Sequence, residues 1–264
     1  DNNNVCQNTL SSFQCSQLNV NLEPCVQYIL VTTPCFCCCS ATNTGTFSTT
    51  ITGPPGSHTT FGPLLLPTTG ACGDPHFTTW GGETYDYHGK CDLELITDPT
   101  FSDGKGLRVQ LRTEILRQWS YIKDLAIQIG DDVLEVHGSR DKPEYWINHE
   151  HMGDLTTFAG FHVSHKRANS KSYFYTIHLK SKKDWENVIE IRTFKDFVRI
   201  NFDKPNKDLY RDSVGLLGNY TTGHKLGRDG KTVFTDNYNE FGQEWQVLPG
   251  ENLFHTVEGP QAPH

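Results

Sequence analysis

From Leu107 to Phe202 apolar and polar residues alternate again and again, a period of two that belongs to strands with one buried face. Leu107, Val109 and Leu111 are interleaved with Arg108, Gln110 and Arg112, and Leu125, Ile127 and Ile129 with Ala126 and Gln128. The same rhythm returns in Tyr173, Tyr175, Ile177 and Leu179, in Ile189 and Ile191, and in Val198, Ile200 and Phe202. Turn-forming clusters separate the runs: Gly130-Asp131-Asp132, Ala168-Asn169-Ser170 and Lys204-Pro205-Asn206. No stretch carries a 3.6-residue apolar stripe beyond one short turn. The expectation is an all-β fold, an antiparallel sandwich or barrel-like module of about ten strands.

The region before it has a different composition. Residues 1–73 hold two charged side chains, Asp1 and Glu23, so the rest of the chain carries all 23 Lys+Arg and, of the 31 Asp+Glu, all but those two. Seven cysteines, Cys6, Cys15, Cys25, Cys35, Cys37, Cys38 and Cys39, fall in this polar stretch. They are read as a disulfide framework made in an oxidising compartment, which makes the protein extracellular, secreted or at the cell surface. Zinc is the competing reading of Cys35 to Cys39. It is disfavoured because adjacent cysteines project in diverging directions, whereas zinc sites usually draw paired ligands from separated loops. The total of nine cysteines is odd, so one thiol is unpaired or bonded to another chain.

Residues 41–70 contain 12 Ser or Thr together with Pro54, Pro55, Pro63 and Pro67. They suit either a mucin-like linker or an extended arm lying on the following domain. The expected organisation is a largely irregular Cys-rich segment (1–40), a Thr/Pro-rich linker or arm (41–71), a β domain (72–248) and a tail (249–264). The net charge of −8 without any basic block argues against nucleic acid. No apolar run approaches the roughly 20 residues of a membrane helix. No charged and apolar leader opens the chain, so an exported protein would be read here from after its processing site.

One hairpin can be put in register from the sequence. His76 to Trp80 and Glu83 to His88 flank Gly81-Gly82, a pair suited to a two-residue type I′ turn. That register sets Trp80 opposite Glu83, Phe77 opposite Asp86, and Cys72 opposite Cys91. The two cysteines would then sit at about 5.5 Å between Cα atoms, within disulfide range, and are the candidate pair.

The stretch Cys72-Gly-Asp-Pro-His-Phe-Thr-Thr-Trp-Gly-Gly-Glu-Thr-Tyr-Asp-Tyr-His-Gly-Lys-Cys91 resembles the opening of a von Willebrand factor type D domain. Gly215-Leu-Leu-Gly-Asn-Tyr220 is similar to that family's C-G-L-C-G-N-[FY], followed by Asp229-Gly230. Phe241-Gly-Gln-Glu-Trp245 is similar to its closing F-G-x-x-W. The resemblance covers residues 72 to about 248. It implies a β-sandwich-like module of secreted, often multimeric glycoproteins.

The departures from the family pattern carry their own expectations. The family's Ca2+-binding turn Asp is Gly81 here and the second Asn of its Asn-x-Asn pair is Thr221; Asn219 remains. Too few oxygens stay for the roughly six to eight that Ca2+ takes, so no cofactor is expected, with Ca2+ the alternative. The cation of Lys225 or Arg228 is expected in the vacated position, paired with Asn219, Asp229 or Asp236. The family's paired cysteines are Val214 and Leu217, which removes the partner implied for Cys72. That leaves Cys91 or the N-terminal segment to take it.

Candidate chemistry is sparse. In some family members the Asp-Pro bond of G-D-P-H breaks by itself, the carboxyl attacking its own carbonyl while the protonated proline nitrogen leaves. Asp74, Pro75 and His76 are therefore an autocleavage candidate, weighed against Asp74 and His76 simply bracing the domain entrance. His149-Glu150-His151 and the pair His162 and His165 match no helical metal-ligand spacing and are read as solvated, so no metal site is expected. Asp131-Asp132 reads as a solvated turn. Asn219-Tyr220-Thr221 is the one N-glycosylation sequon.

The leading expectation is a non-catalytic structural or adhesive glycoprotein whose Cys-rich arm joins copies of itself or binds matrix or cell-surface proteins. The alternatives are a monomeric module recognising polysaccharide or protein through exposed aromatics, and a protein that processes itself at Asp74-Pro75.

Overall fold

The computed structural model describes residues 69–73, 75–116, 119–139, 142–179, 187–203, 205–256 and 262–263. Cys6, Cys15, Cys25, Cys35, Cys37, Cys38, Cys39, the linker expectation for 41–68 and Asp74 lie outside the described residues.

The described chain is all-β. In order it forms β1 (Thr69–Cys72), β2 (His76–Thr78), β3 (Thr84–Asp86), β4 (Gly89–Lys90), β5 (Asp92–Asp98), β6 (Leu107–Leu116), β7 (Trp119–Ile129) and β8 (Asp132–His137). There follow β9 (Glu144–Ile147), β10 (Glu150–His151), β11 (Thr157–Phe158), β12 (Phe161–Asn169), β13 (Ser172–Leu179), β14 (Asn187–Phe194), β15 (Phe197–Asp203) and β16 (Ala262–Pro263). Three short helical segments interrupt them: α1 (Phe101–Gly104), α2 (Lys207–Tyr210) and α3 (Tyr238–Glu244). Against the sequence expectation of about ten strands, eight of the described strands run six residues or more. The additional strands are two to four residues long, too short to show alternation.

Two antiparallel sheets share one core without closing into a barrel. The larger has the order β11-β12-β13-β14-β15-β1-β2-β3, the smaller β10-β9-β8-β7-β6-β5. The alternating residues meet between them. Leu107, Val109, Leu111, Leu125, Ile127 and Ile129 come from the smaller sheet, and Tyr175, Ile177, Ile189, Ile191, Val198, Ile200 and Phe202 from the larger, all buried. Where the sheets face each other, the rings of Tyr145 and Tyr175 stand edge to face at 6.0 Å.

The hairpin register differs from the expectation by one residue. His76 pairs with Asp86, Phe77 with Tyr85 and Thr78 with Thr84. Thr79 N–H donates to Glu83 O at 2.9 Å, which leaves a three-residue loop, Trp80-Gly81-Gly82, with only Gly82 in the left-handed region at φ 80°. The reason is the Trp80 ring. It leaves the ladder and packs among Phe202, Tyr210 and Tyr220 at centroid distances of 5.5, 5.2 and 5.3 Å. Burying an indole outweighs the preference for a two-residue turn. The chain also reverses between Cys72 and His76, which pair with each other across β1 and β2. Cys72 therefore does not lie opposite Cys91 on a shared hairpin, and the register that would set the two within disulfide range is not formed.

Candidate functional site

Strand β5 ends the smaller sheet, and its outward edge would present unpaired backbone groups. The second and third resemblance motifs fill that edge. Thr97 and Val214 exchange both N–H···O bonds at 2.8 and 3.0 Å, Leu216 N–H donates to Glu94 O at 3.2 Å, and Leu217 N–H to Leu95 O at 3.3 Å. Further along, Glu94 N–H donates to Trp245 O at 2.8 Å and Val247 N–H to Asp92 O at 2.9 Å. The first motif joins from the other side. Trp80 N–H donates to Leu217 O at 2.9 Å, and the Tyr85 hydroxyl to Leu216 O at 2.6 Å. Val214 and Leu217, the positions at which the resemblance would have cysteines, are packed in or against the core.

Two glycines of these motifs have steric reasons. A Cβ on Gly215, whose φ is 132°, would lie 2.5 Å from Leu95 O. One on Gly242 would lie 2.2 Å from the Tyr87 ring.

Gly81, Asn219 and Thr221, the positions at which the resemblance would have calcium ligands, lie in two touching loops and have other partners. A Cβ on Gly81 would touch Gly223 O at 3.3 Å, so the hairpin loop rests on the loop that follows Asn219. Asn219 Oδ1 accepts from Thr222 N–H at 2.8 Å and from the Thr222 hydroxyl at 3.0 Å, and the Thr221 hydroxyl donates to Arg211 O at 2.8 Å. Lys225 is 5% exposed and sends its ammonium to both Glu83 carboxylate oxygens, at 2.6 and 2.5 Å. The Tyr238 hydroxyl donates to the same carboxylate at 3.0 Å.

This corrects the expected pairing of Lys225 or Arg228 with Asn219, Asp229 or Asp236. Asp229 instead accepts from Lys231 N–H, Thr232 N–H and the Thr232 hydroxyl within its own turn. Arg228 donates to the carbonyls of Glu244 and Gln246 at 2.8 and 2.7 Å and stacks on Trp245. The ion pair is asymmetric, because the lysine is buried and the glutamate half-exposed. Glu83→Ala is expected to cost about 2 kcal/mol by stranding a buried ammonium, and Lys225→Met about 1 kcal/mol or less, as read by denaturant unfolding.

At the entrance to the domain, His76 Nδ1 lies 2.5 Å from Asp86 Oδ1 across the β2–β3 pair. Ile122 N–H donates to Gly73 O at 3.1 Å and Tyr87 N–H to Pro75 O at 3.3 Å, so the reversal is held on both sides. Gln246 Nε2 donates to the Tyr87 hydroxyl at 3.0 Å and reaches Cys91 Sγ at 3.4 Å. Burial pushes the Cys91 thiol up to about 11 and, with Cys91 beside it, the Tyr87 phenol up to about 12.

A second constellation lies on the outer face of the smaller sheet, where sequence alternation placed polar residues in solvent. Asp92, Glu94, Gln110, Arg112, Asp124 and Glu135 are buried there. Residues 246–256 supply much of the cover. Leu253 N–H donates to Gln110 Oε1 at 2.9 Å, Asn252 Nδ2 to Asp92 Oδ2 at 2.7 Å, and Arg112 to Thr256 O at 2.8 Å, while Leu253 and Phe254 pack on Ala126 and Val133.

At one end of this strap Glu135, 0% exposed, is ringed by histidines. His255 Nδ1 is 2.9 Å from Oε2 and its backbone N–H donates to Oε1 at 3.0 Å. His149 Nδ1 is 3.1 Å from Oε1 and His137 Nε2 3.5 Å from Oε2. Burial by itself would raise this carboxyl. The His137 contact, the His255 ring and backbone N–H, and His149 outweigh burial and hold it at about 2.

Of the histidines singled out in the sequence, His149 thus reaches a buried carboxylate, while the His151 ring stands edge to face on Trp146 at 5.2 Å. His162 stacks on His178 at 5.3 Å, and His165 lies 6.1 Å from Tyr175. Sequence reasoning missed Glu135, His137 and His255. Glu135 and His137 are two apart on the polar side of β8, a visible signal; His255 arrives from the strap and shares no spacing with them. No protein-family model matches the chain.

Proposed function

We propose that this chain is an extracellular, non-catalytic structural or adhesive glycoprotein, a divergent module of von Willebrand factor type D character whose Cys-rich arm links copies of the protein. The observation that carries the type D reading is the meeting of three motifs on one strand edge. Residues 80–85, 214–217 and 245–247, far apart in sequence, bond to β5 or to one another. A resemblance confined to short words would give no reason for those words to converge. In this reading the module is a rigid spacer, with Val214 and Leu217 packed where the family has a covalent tie.

Calcium has no part in the reading. An ammonium at Glu83 and an Asn219 oxygen committed to its own loop are a donor set unsuited to a hard dication. Scission at Asp74-Pro75 is likewise no part of it: the His76–Asp86 contact across the hairpin suits a brace at the domain entrance. Among the described residues no helix is long and apolar enough to cross a membrane.

Assembly rests on the seven cysteines of residues 1–39 and on the near absence of charge there, which leaves little repulsion between arms. Light scattering on the exported full chain tests it. Multimers that fall to the 29.8 kDa monomer on reduction, with the β circular dichroism unchanged, are expected. A monomer before and after reduction overturns the assembly and favours a monomeric binding module. That second reading has one supporting feature, the strip on the larger sheet where Lys166 and Arg192 stand over Phe174 at 5.4 and 5.1 Å, chemistry suited to an anionic polysaccharide.

A further inference from the structure

We propose that Glu135, His137, His149 and His255 bind a divalent transition-metal ion of the zinc class, and that the ion pins the strap of residues 246–256 to the smaller sheet. The donor set is three imidazoles and one carboxylate, the combination that suits Zn2+ or Cu2+ and does not suit Ca2+ or Mg2+.

Its dimensions fit. Bonds of about 2.0–2.1 Å in a tetrahedron put neighbouring ligand atoms roughly 3.3 Å apart. The separations from Glu135 oxygens to His255 Nδ1, His149 Nδ1 and His137 Nε2 are 2.9, 3.1 and 3.5 Å. One ligand atom from each of Glu135, His137 and His255 lies within 4.8 Å of the others. His149 Nδ1 lies outside that group, on the Oε1 side of the carboxylate, so its ring must swing toward the other two imidazoles to become the fourth ligand. Two of these nitrogens, on His149 and His255, stand at hydrogen-bond distance from the carboxylate, and a metal ion would take the place of the shared protons.

Three independent features point the same way. His137 Nε2 is buried and makes no hydrogen bond among the described residues, although it faces the cluster. On the far side of that ring, Asp124 Oδ1 stands 3.7 Å from Nδ1, outside hydrogen-bond distance but placed to close on it as the outer carboxylate of a metal-ligating histidine. His149 sits at φ 68° in the Asn148-His149 turn that joins β9 to β10, a left-handed position where glycine is preferred. A non-glycine residue held there, with its ring turned onto Glu135, is backbone strain at a site that uses the side chain. Trp146 lies against the rings of His137 and His255 at 4.3 and 4.8 Å and shields that side of the cluster.

The test is zinc titration of the full chain by calorimetry, with X-ray absorption on the loaded protein. One equivalent of Zn2+ is expected, with a nitrogen and oxygen shell at about 2.0–2.1 Å, and zinc is expected to raise the melting temperature. His137→Ala and His255→Ala should each weaken that equivalent by more than about 100-fold, and Asp124→Asn by about tenfold. His149→Gly keeps the fold accessible to the test. It relieves the left-handed strain, so the metal-free protein should melt no lower than the parent while the zinc-induced rise shrinks. The absence of a bound equivalent, a shell made only of sulfur at about 2.3 Å, which would place the ion on the N-terminal cysteines, or an equivalent that survives both alanine variants would overturn the proposal.

Discussion

Arg112→Ala is expected to remove about 4 kcal/mol of stability, enough to unfold the β module or leave it marginal in a denaturant titration. Arg112 is 2% exposed and Asp92 beside it 1%. The guanidinium meets Asp92 in a two-pronged pair at 2.7 and 2.9 Å, its remaining N–H groups reach Thr256 Oγ1 and O, and the Phe254 ring lies 4.2 Å from its centre. Truncation leaves the Asp92 carboxylate in a dry place without the guanidinium, although Asn252 still donates to it. It also unties the strap. Arg112→Lys should recover little, because a single ammonium cannot span both carboxylate oxygens and Thr256 together. If strap and sheet are one cooperative unit, Phe254→Ala destabilises the same transition. An alanine variant that melts like the parent would mean that the outer face of the sheet contributes nothing to the fold.

The second large effect falls on a glycine. Gly242→Ala is expected to cost about 3 kcal/mol, because the new methyl would lie 2.2 Å from the Tyr87 ring. Tyr87 is 1% exposed and its hydroxyl is held by Gln246, so the ring has nowhere to retreat. Relief requires α3 to move away from the hairpin, which also breaks the Tyr85–Phe241 edge contact at 5.7 Å. The methyl itself suits a helix better than glycine does, by about 1 kcal/mol. A variant stabilised by that amount would show that α3 is not seated against Tyr87. Thermal unfolding followed by circular dichroism separates the two outcomes.

These two sites mark where sequence reasoning succeeded and where it stopped. Ile127, Ile189 and Ile200 could be placed in the core from alternation alone, because a period of two leaves one face to bury and the fold buried it. Arg112 could not. Alternation assigned it to solvent, and it is covered by Asn252, Leu253 and Phe254, a segment with neither strand nor helix period to announce that it packs. The hairpin was readable as a hairpin, but its register was decided by Trp80 entering a ring cluster with Tyr210 and Tyr220, contacts that local turn preference does not encode.

That one-residue difference carried into the site. Glu83, set opposite Trp80 in the expected register, instead receives Lys225, so a cation was anticipated in the right loop but given the wrong partners. Gly215 and Gly242 were legible as motif residues, yet the carbonyl of Leu95 and the ring of Tyr87 that exclude a side chain there became visible only with the chain folded. The histidines around Glu135 went unread for a related reason. A site assembled from β8, a turn and a distant strap has no linear spacing.

The proposed assembly through the arm is tested most directly by peptide mapping of the unreduced full chain produced by a secreting host. The expected result is a disulfide joining two copies through cysteines among Cys6, Cys15, Cys25, Cys35, Cys37, Cys38 and Cys39. Finding no bond between copies, whether the seven are reduced or paired only within one chain, would contradict it.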